Sequence, residues 1–136
     1  MEYSITASSV AKHDAVLAVK QAQIEFGTTD ESANRLPNPA ELFLGAFAAC
    51  MLKNVERFST LLHFTYERAR VQVQAVRLER PPRMDELRYS LTIYSKDPDL
   101  RIPLLKKNLE RYGTIFNTVK QACSVRGEIE KVTDYV

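Results

Sequence analysis

The chain has 136 residues, 45% of them hydrophobic and 26% charged, with a formal net charge of +2 at pH 7. That length fits one domain over residues 1–136, large enough to bury a real core, and the composition is ordinary for a globular protein. The weak positive charge gives no argument for a nucleic-acid partner, because the arginines from Arg68 to Arg88 are interleaved with Glu79, Asp85 and Glu86, the pattern of a solvated sheet face.

Met1-Glu2-Tyr3-Ser4 lacks the basic and then apolar run of a secretory signal. Two cysteines without such a signal point to free thiols in a reducing, cytoplasmic setting. Cys50 and Cys123 are far apart, and His13 and His63 are the only histidines, so no metal-ligand spacing exists and neither a metal nor a cofactor is expected.

Tyr3 to Ser9 and Ala15 to Phe26 are β-prone stretches, with Lys12-His13-Asp14 as the turn between them. Residues 27–38 are polar and end in Leu36-Pro37-Asn38-Pro39, a loop signature. A long helix follows from Pro39 to about Thr60. Pro39 suits a first helical position, and Glu41 in the first turn favours the helix dipole. From Leu42 to Leu52 only Gly45 lies outside the hydrophobic set. A helix apolar on every side must be covered on every side. The run is too short to span a bilayer, so no membrane contact is expected. It predicts the centre of a core or of a homodimer interface, with the Cys50 thiol inside it. Phe43, Phe47 and Phe58 then pack the core or interface, or wall an apolar pocket beside Cys50.

Ala69 to Arg80 reads as a strand whose apolar parity slips after Ala75, which predicts a bulge there. Pro81-Pro82 opens a turn. Leu87, Tyr89, Leu91 and Ile93 alternate with polar residues, the pattern of a strand with one face buried. A second helix runs from about Ile102 to Tyr112, with start chemistry at Asp97-Pro98-Asp99 and Gly113 as its C-terminal cap. Thr114 to Ala122 is a short helix or turn. Cys123 to Val132 is the last strand, and the shared parity of Cys123, Val125 and Ile129 makes Cys123 a core residue. The order is hairpin, long helix, hairpin, helix, strand, an α+β chain with antiparallel sheet.

Three stretches resemble the OsmC/Ohr family: Asn38-Pro39-Ala40-Glu41-Leu42 leading into Ala48-Ala49-Cys50, Pro81-Pro82 before a strand, and Tyr112-Gly113-Thr114-Ile115-Phe116-Asn117-Thr118-Val119. The resemblance implies an intertwined homodimer with long central helices between sheets. It also implies thiol-based reduction of organic hydroperoxides in the oxidative-stress response. The family uses a reactive Cys on the central helix, a second Cys that closes a disulfide, and an Arg–Glu pair that activates the first. Cys50 matches the reactive Cys. The second Cys falls on Gly113, and Cys123 does not match it. The Glu position falls on Ala40, with Glu41 one step late and about two and a half turns from Cys50, on the opposite side of the helix. No Arg precedes Arg35, so Lys12, Lys20 and Arg35 are the available substitutes in that region.

A free thiol with a pKa of about 8.5 is mostly protonated at neutral pH unless a positive group assists it. Lys53 and Arg57, one and two turns after Cys50, share its helix face and could supply that charge, or could simply snorkel to solvent. Three readings follow, one of them a purely structural Cys50 in a protein whose role lies in partner binding; the other two give the site a chemistry or a ligand. In the first of those two, Cys50 attacks an organic hydroperoxide and the resulting sulfenic acid needs an external thiol reductant, or Cys123 after a rearrangement. In the second, the redox machinery is lost and the dimer binds a small lipophilic ligand in an apolar pocket.

Overall fold

The computed structural model describes residues 1–136. The single domain read from the sequence corresponds to two compact units, Met1–Phe43 and Leu44–Val136. No helix is long and apolar enough to cross a membrane.

The first unit is a three-stranded antiparallel sheet of β1 (Thr6–Ser9), β2 (Ala15–Val19) and β3 (Ala22–Phe26), in the order β1-β2-β3. The stretch from Ala15 to Phe26 is therefore two strands, where the sequence reading has one. The turn between them is Lys20-Gln21, with Val19 paired to Ala22 and Lys20 at φ 53°. Tight hairpins favour Gly, Asn or Asp at such a position, and with Lys there the sequence carries no turn signal. Between β1 and β2 the expected turn forms, with Lys12 at φ 68° and the His13 N–H donating to the Val10 carbonyl at 2.9 Å.

Asp14 fastens β2 to the loop that follows β3. Its Oδ1 accepts from Ser32 Oγ at 2.6 Å, Thr28 N at 3.1 Å, Thr29 N at 3.2 Å and Thr29 Oγ1 at 3.0 Å. These donors, Ser32 foremost, hold the carboxyl down at about 2, against an ordinary value of 3.8. A depressed folded-state pKa contributes stability above the unfolded value and loses it as pH falls through the folded one. The Thr28 and Thr29 amides are therefore expected to lose exchange protection as pH falls from 3.8 to about 2. NMR exchange measured on wild type and Asp14→Asn checks this. An unchanged Thr28 protection profile in Asp14→Asn would count against the assignment.

The second unit is built on a three-stranded sheet of β4 (Arg68–Glu79), β5 (Pro82–Tyr94) and β6 (Val125–Val132), in the order β4-β5-β6. β4 and β5 form the antiparallel hairpin expected around Pro81-Pro82. The bulge expected near Ala75 is present between Gln74 and Val76, and the extra residue lies on β5, where Glu86 takes φ 51°. β6, however, runs parallel to β5, so the sheet is mixed and not wholly antiparallel. The physical reason is the connection: α2 (Ile102–Tyr112) and α3 (Thr114–Val119) carry the chain back along the sheet, the crossover that a parallel pair requires.

The buried face of this sheet is the alternating row of Leu87, Tyr89, Leu91 and Ile93, completed by Val125 and Ile129 from β6. Against it lie Phe47, Met51, Val55 and Phe58 of α1 (Pro39–Leu61), Leu105 and Leu109 of α2, and Phe116 and Val119 of α3. α1 is thus buried along one stripe only. Gly45, Ala46, Ala49 and Leu52 are exposed, and a Cβ added at Gly45 would meet open space. Asp97 does not start α2. Its carboxylate accepts from Thr65 N and Asp99 N, each at 2.8 Å, and ties the end of α1 to the end of β5.

Candidate functional site

α1 begins with a reciprocal cap. Asn38 Oδ1 accepts from Glu41 N at 2.8 Å, and Glu41 Oε1 accepts from Asn38 N at 3.0 Å. Each side chain satisfies a backbone donor that the first turn leaves free. Glu41 is therefore committed to starting the helix.

Further along α1, Phe47 is fully buried and stacks on Tyr89 and Phe116, with ring centroids 6.1 and 5.4 Å away. It is part of the core. Phe43 is exposed.

Cys50 is partly buried, at the margin of the core stripe. Asn54, one turn on, donates its amide N–H to the Cys50 carbonyl at 2.9 Å and reaches Sγ at 3.5 Å. Neither Lys53 nor Arg57 donates to the sulfur. Both are exposed, and the Arg57 guanidinium lies over the Phe58 ring, 5.5 Å from its centroid. Arg35 is in the first unit, with its guanidinium 3.8 Å from Asp14. Asn54 is the site residue that sequence reasoning missed. Its spacing puts it on the Cys50 face, since residues one turn apart share a helix face, but that spacing alone assigns no role.

Gly113 is buried directly against the thiol. A Cβ there would lie 3.3 Å from Cys50 Sγ, 3.1 Å from the Leu109 carbonyl and 3.0 Å from Phe116 Cβ. Its backbone, at φ −70° and ψ 121°, is extended and open to any residue. Gly113 caps α2 as expected, its N–H donating to the Leu109 carbonyl at 3.2 Å, but without the left-handed conformation; what uses the missing side chain is close approach to Cys50, Leu109 and Phe116.

Cys123 has a different environment. It is buried, just ahead of β6, and donates its S–H to the Met84 carbonyl at 3.2 Å. Burial, and next the Asp85 carboxylate, push its thiol up. A raised thiol is a poor nucleophile, because only the thiolate attacks. Both cysteines are free. No group of three or more His, Cys, Asp or Glu side chains is arranged to hold a metal.

Fold and site together define an α+β protein with two small sheets, three helices and a free thiol where α1 meets the end of α2. Residues 30–128 match the family model described as OsmC-like protein, and the chain belongs to that family. No curated protein matches it by sequence. Among solved structures, an OsmC-like protein from Mycoplasma pneumoniae superposes with a TM-score of 0.86 at 17% identity, covering 98% of this chain and 99% of that one. An OsmC-like protein of unknown function from Vibrio cholerae gives 0.80 at 10% identity, covering 95% and 99%. An organic hydroperoxide resistance protein from Elizabethkingia anophelis gives 0.71 at 12% identity, covering 97% and 99%. At these identities the likeness concerns the fold.

Proposed function

We propose that this protein is a one-thiol member of the OsmC-like family that reduces organic hydroperoxides slowly through Cys50. The observation that carries the reading is the contact between Cys50 Sγ and Gly113, because the resemblance puts the second thiol at Gly113. That closeness supports reading the site as a paired one with a single sulfur left. In the first step the Cys50 thiolate attacks the distal peroxide oxygen. The S–O bond forms as the O–O bond breaks, and the alkoxide leaves and takes a proton as the alcohol. Sulfur is oxidised to sulfenic acid and the peroxide is reduced. An external thiol then displaces water to form a mixed disulfide, and a second thiol equivalent releases Cys50 reduced. The Asn54 amide presents an N–H to sulfur, the polarity that suits negative charge there. A reducing cytoplasm would supply the thiols.

The absence of a Lys or Arg donor at the sulfur supports the slow rate, and favours the rival reading of a non-catalytic protein that binds a small lipophilic ligand. Peroxide consumption separates the two. With an organic hydroperoxide and a small dithiol, Cys50→Ser is expected to lose at least ~100-fold, while Cys123→Ser keeps most of the wild-type rate. Activity surviving in Cys50→Ser would remove the redox role and leave ligand binding ahead.

The working form we propose is a homodimer. α1 exposes Gly45, Ala46, Ala49 and Leu52 on the side away from its own sheet, and a second α1 would cover them. Gly45→Arg is expected to convert dimer to monomer in sedimentation at low micromolar concentration. A folded wild-type monomer under those conditions would defeat this part of the reading.

A further inference from the structure

The outer face of the second sheet carries a feature that the thiol chemistry does not use. β5 and β6 are parallel and in register, with Arg88 directly opposite Arg126. Both are exposed, and like charges facing each other across neighbouring strands destabilise a sheet. Some arginines of this unit have partners: Arg77 is 2.9 Å from Glu79, Arg83 is 3.4 Å from Asp85, and Arg68 lies over the Tyr94 ring at 3.9 Å. Arg88 and Arg126 have no carboxylate within ion-pair distance. Asp85, also on β5, is occupied by Ser124 N at 2.9 Å and by Arg83.

The pair also borders concave surface. A concavity of about 400 Å³ is lined by Val76, Glu86, Leu87, Arg88, Ser124 and Arg126. A smaller one of about 260 Å³ lies further along the strands, with Arg88 and Arg126 again in its wall beside Ser90 and Glu128. The β5 bulge at Glu86 shapes the first hollow, since a bulge bends its strand and re-aims the side chains beside it.

We infer that Arg88 and Arg126 form a binding site for a phosphomonoester dianion. Each guanidinium presents a fork of N–H donors suited to two acceptor oxygens. A carboxylate offers two oxygens and one charge and would satisfy a single fork. A phosphate group carries about −1.5 to −2 charge at pH 7 and three acceptor oxygens, so it can bridge both forks and cancel their repulsion. The Ser124 hydroxyl, in the same hollow, donates to Asp85 Oδ1 at 3.4 Å and would have to turn from it to reach the anion. Glu86 in the first hollow and Glu128 in the second oppose the anion. The site is independent of Cys50.

The test is an NMR titration of the arginine Nε–Hε signals at pH 7.5 and constant ionic strength. The probes are inorganic phosphate, phenyl phosphate and acetate, each balanced with chloride. Both phosphates are expected to move the Arg88 and Arg126 signals saturably, and phenyl phosphate binding more tightly would identify an organic monoester over free phosphate as the ligand type. Arg88→Gln and Arg126→Gln should each weaken binding at least ~10-fold, and Glu86→Gln should tighten it. Non-saturating shifts, acetate binding as tightly as phosphate, or binding unchanged in the arginine variants would overturn the proposal.

Discussion

Gly127→Ala is expected to cost about 3 kcal/mol of stability or more, among the largest losses from adding a single methyl group. Gly127 stands opposite Tyr89 across the parallel pair of β5 and β6. A Cβ on Gly127 would lie 2.1 to 2.3 Å from three atoms of the Tyr89 ring, far inside contact distance. The ring has no free direction in which to retreat. It packs on Phe47 and Phe116, with centroids 6.1 and 6.4 Å away, and its hydroxyl donates to Glu110 at 2.5 Å. Burial, and then Glu110, push the phenol well above its usual range, so it remains a donor. The intrinsic preference of strands for Ala over Gly works the other way, but it is worth only about 0.5–1 kcal/mol. Urea denaturation should show a lower midpoint with the slope unchanged. The cause is tested in a Tyr89→Leu background, where the same Gly127→Ala change should cost under ~1 kcal/mol. An equal cost in both backgrounds would mean that the ring contact is not responsible.

That contact also marks the boundary of what the residues alone disclose. Elements fixed by local pattern were legible. The alternation through Leu87, Tyr89, Leu91 and Ile93 forms the buried row of β5, and the parity slip after Ala75 is a real register shift. Pro39 begins the long helix, and α2 keeps its sequence-read bounds of Ile102 and Tyr112. Features decided across the chain were not legible. Lys20 turns the chain without any turn-favouring residue, because the pairing of β2 with β3 imposes the bend. The direction of β6 depends on where α2 and α3 deliver the chain, and a strand's own alternation is the same in either direction. Asp97 reads as a helix start, yet its donors come from Thr65 and Asp99. At the site, Cys50 and the Gly113 position were legible through family motifs. Asn54 was not, since a polar residue in a helix declares a role only when its neighbours in space are known.

Gly113→Cys is expected to restore a disulfide with Cys50. The Cβ position at Gly113 is already 3.3 Å from Cys50 Sγ, within adjustment of the geometry an S–S bond requires. The backbone at φ −70° accepts a side chain without strain. The obstacles are Phe116 Cβ at 3.0 Å and the Leu109 carbonyl at 3.1 Å, so the reduced variant should be about 1 kcal/mol less stable than wild type. Oxidation then closes a long loop, for which chain entropy supplies about 4 kcal/mol. The oxidised variant should melt about 10 °C above its own reduced form. Mass spectrometry should show loss of two hydrogens and protection of Cys50 from alkylation, and Cys123→Ser should leave both unchanged. Chemistry at the site should change with it. Once peroxide has converted Cys50 to sulfenic acid, the introduced thiol attacks that sulfur and expels water, so the mixed disulfide with external thiol no longer accumulates. If turnover with a dithiol rises as the bridge forms, the missing second sulfur limited the natural protein. If the bridge forms and peroxide still goes unreduced, the limit lies in activating Cys50, which follows from the lack of a Lys or Arg donor at its sulfur. If oxidant produces no bridge, the contact read between Gly113 and Cys50 is wrong, and the one-thiol reading loses its main support.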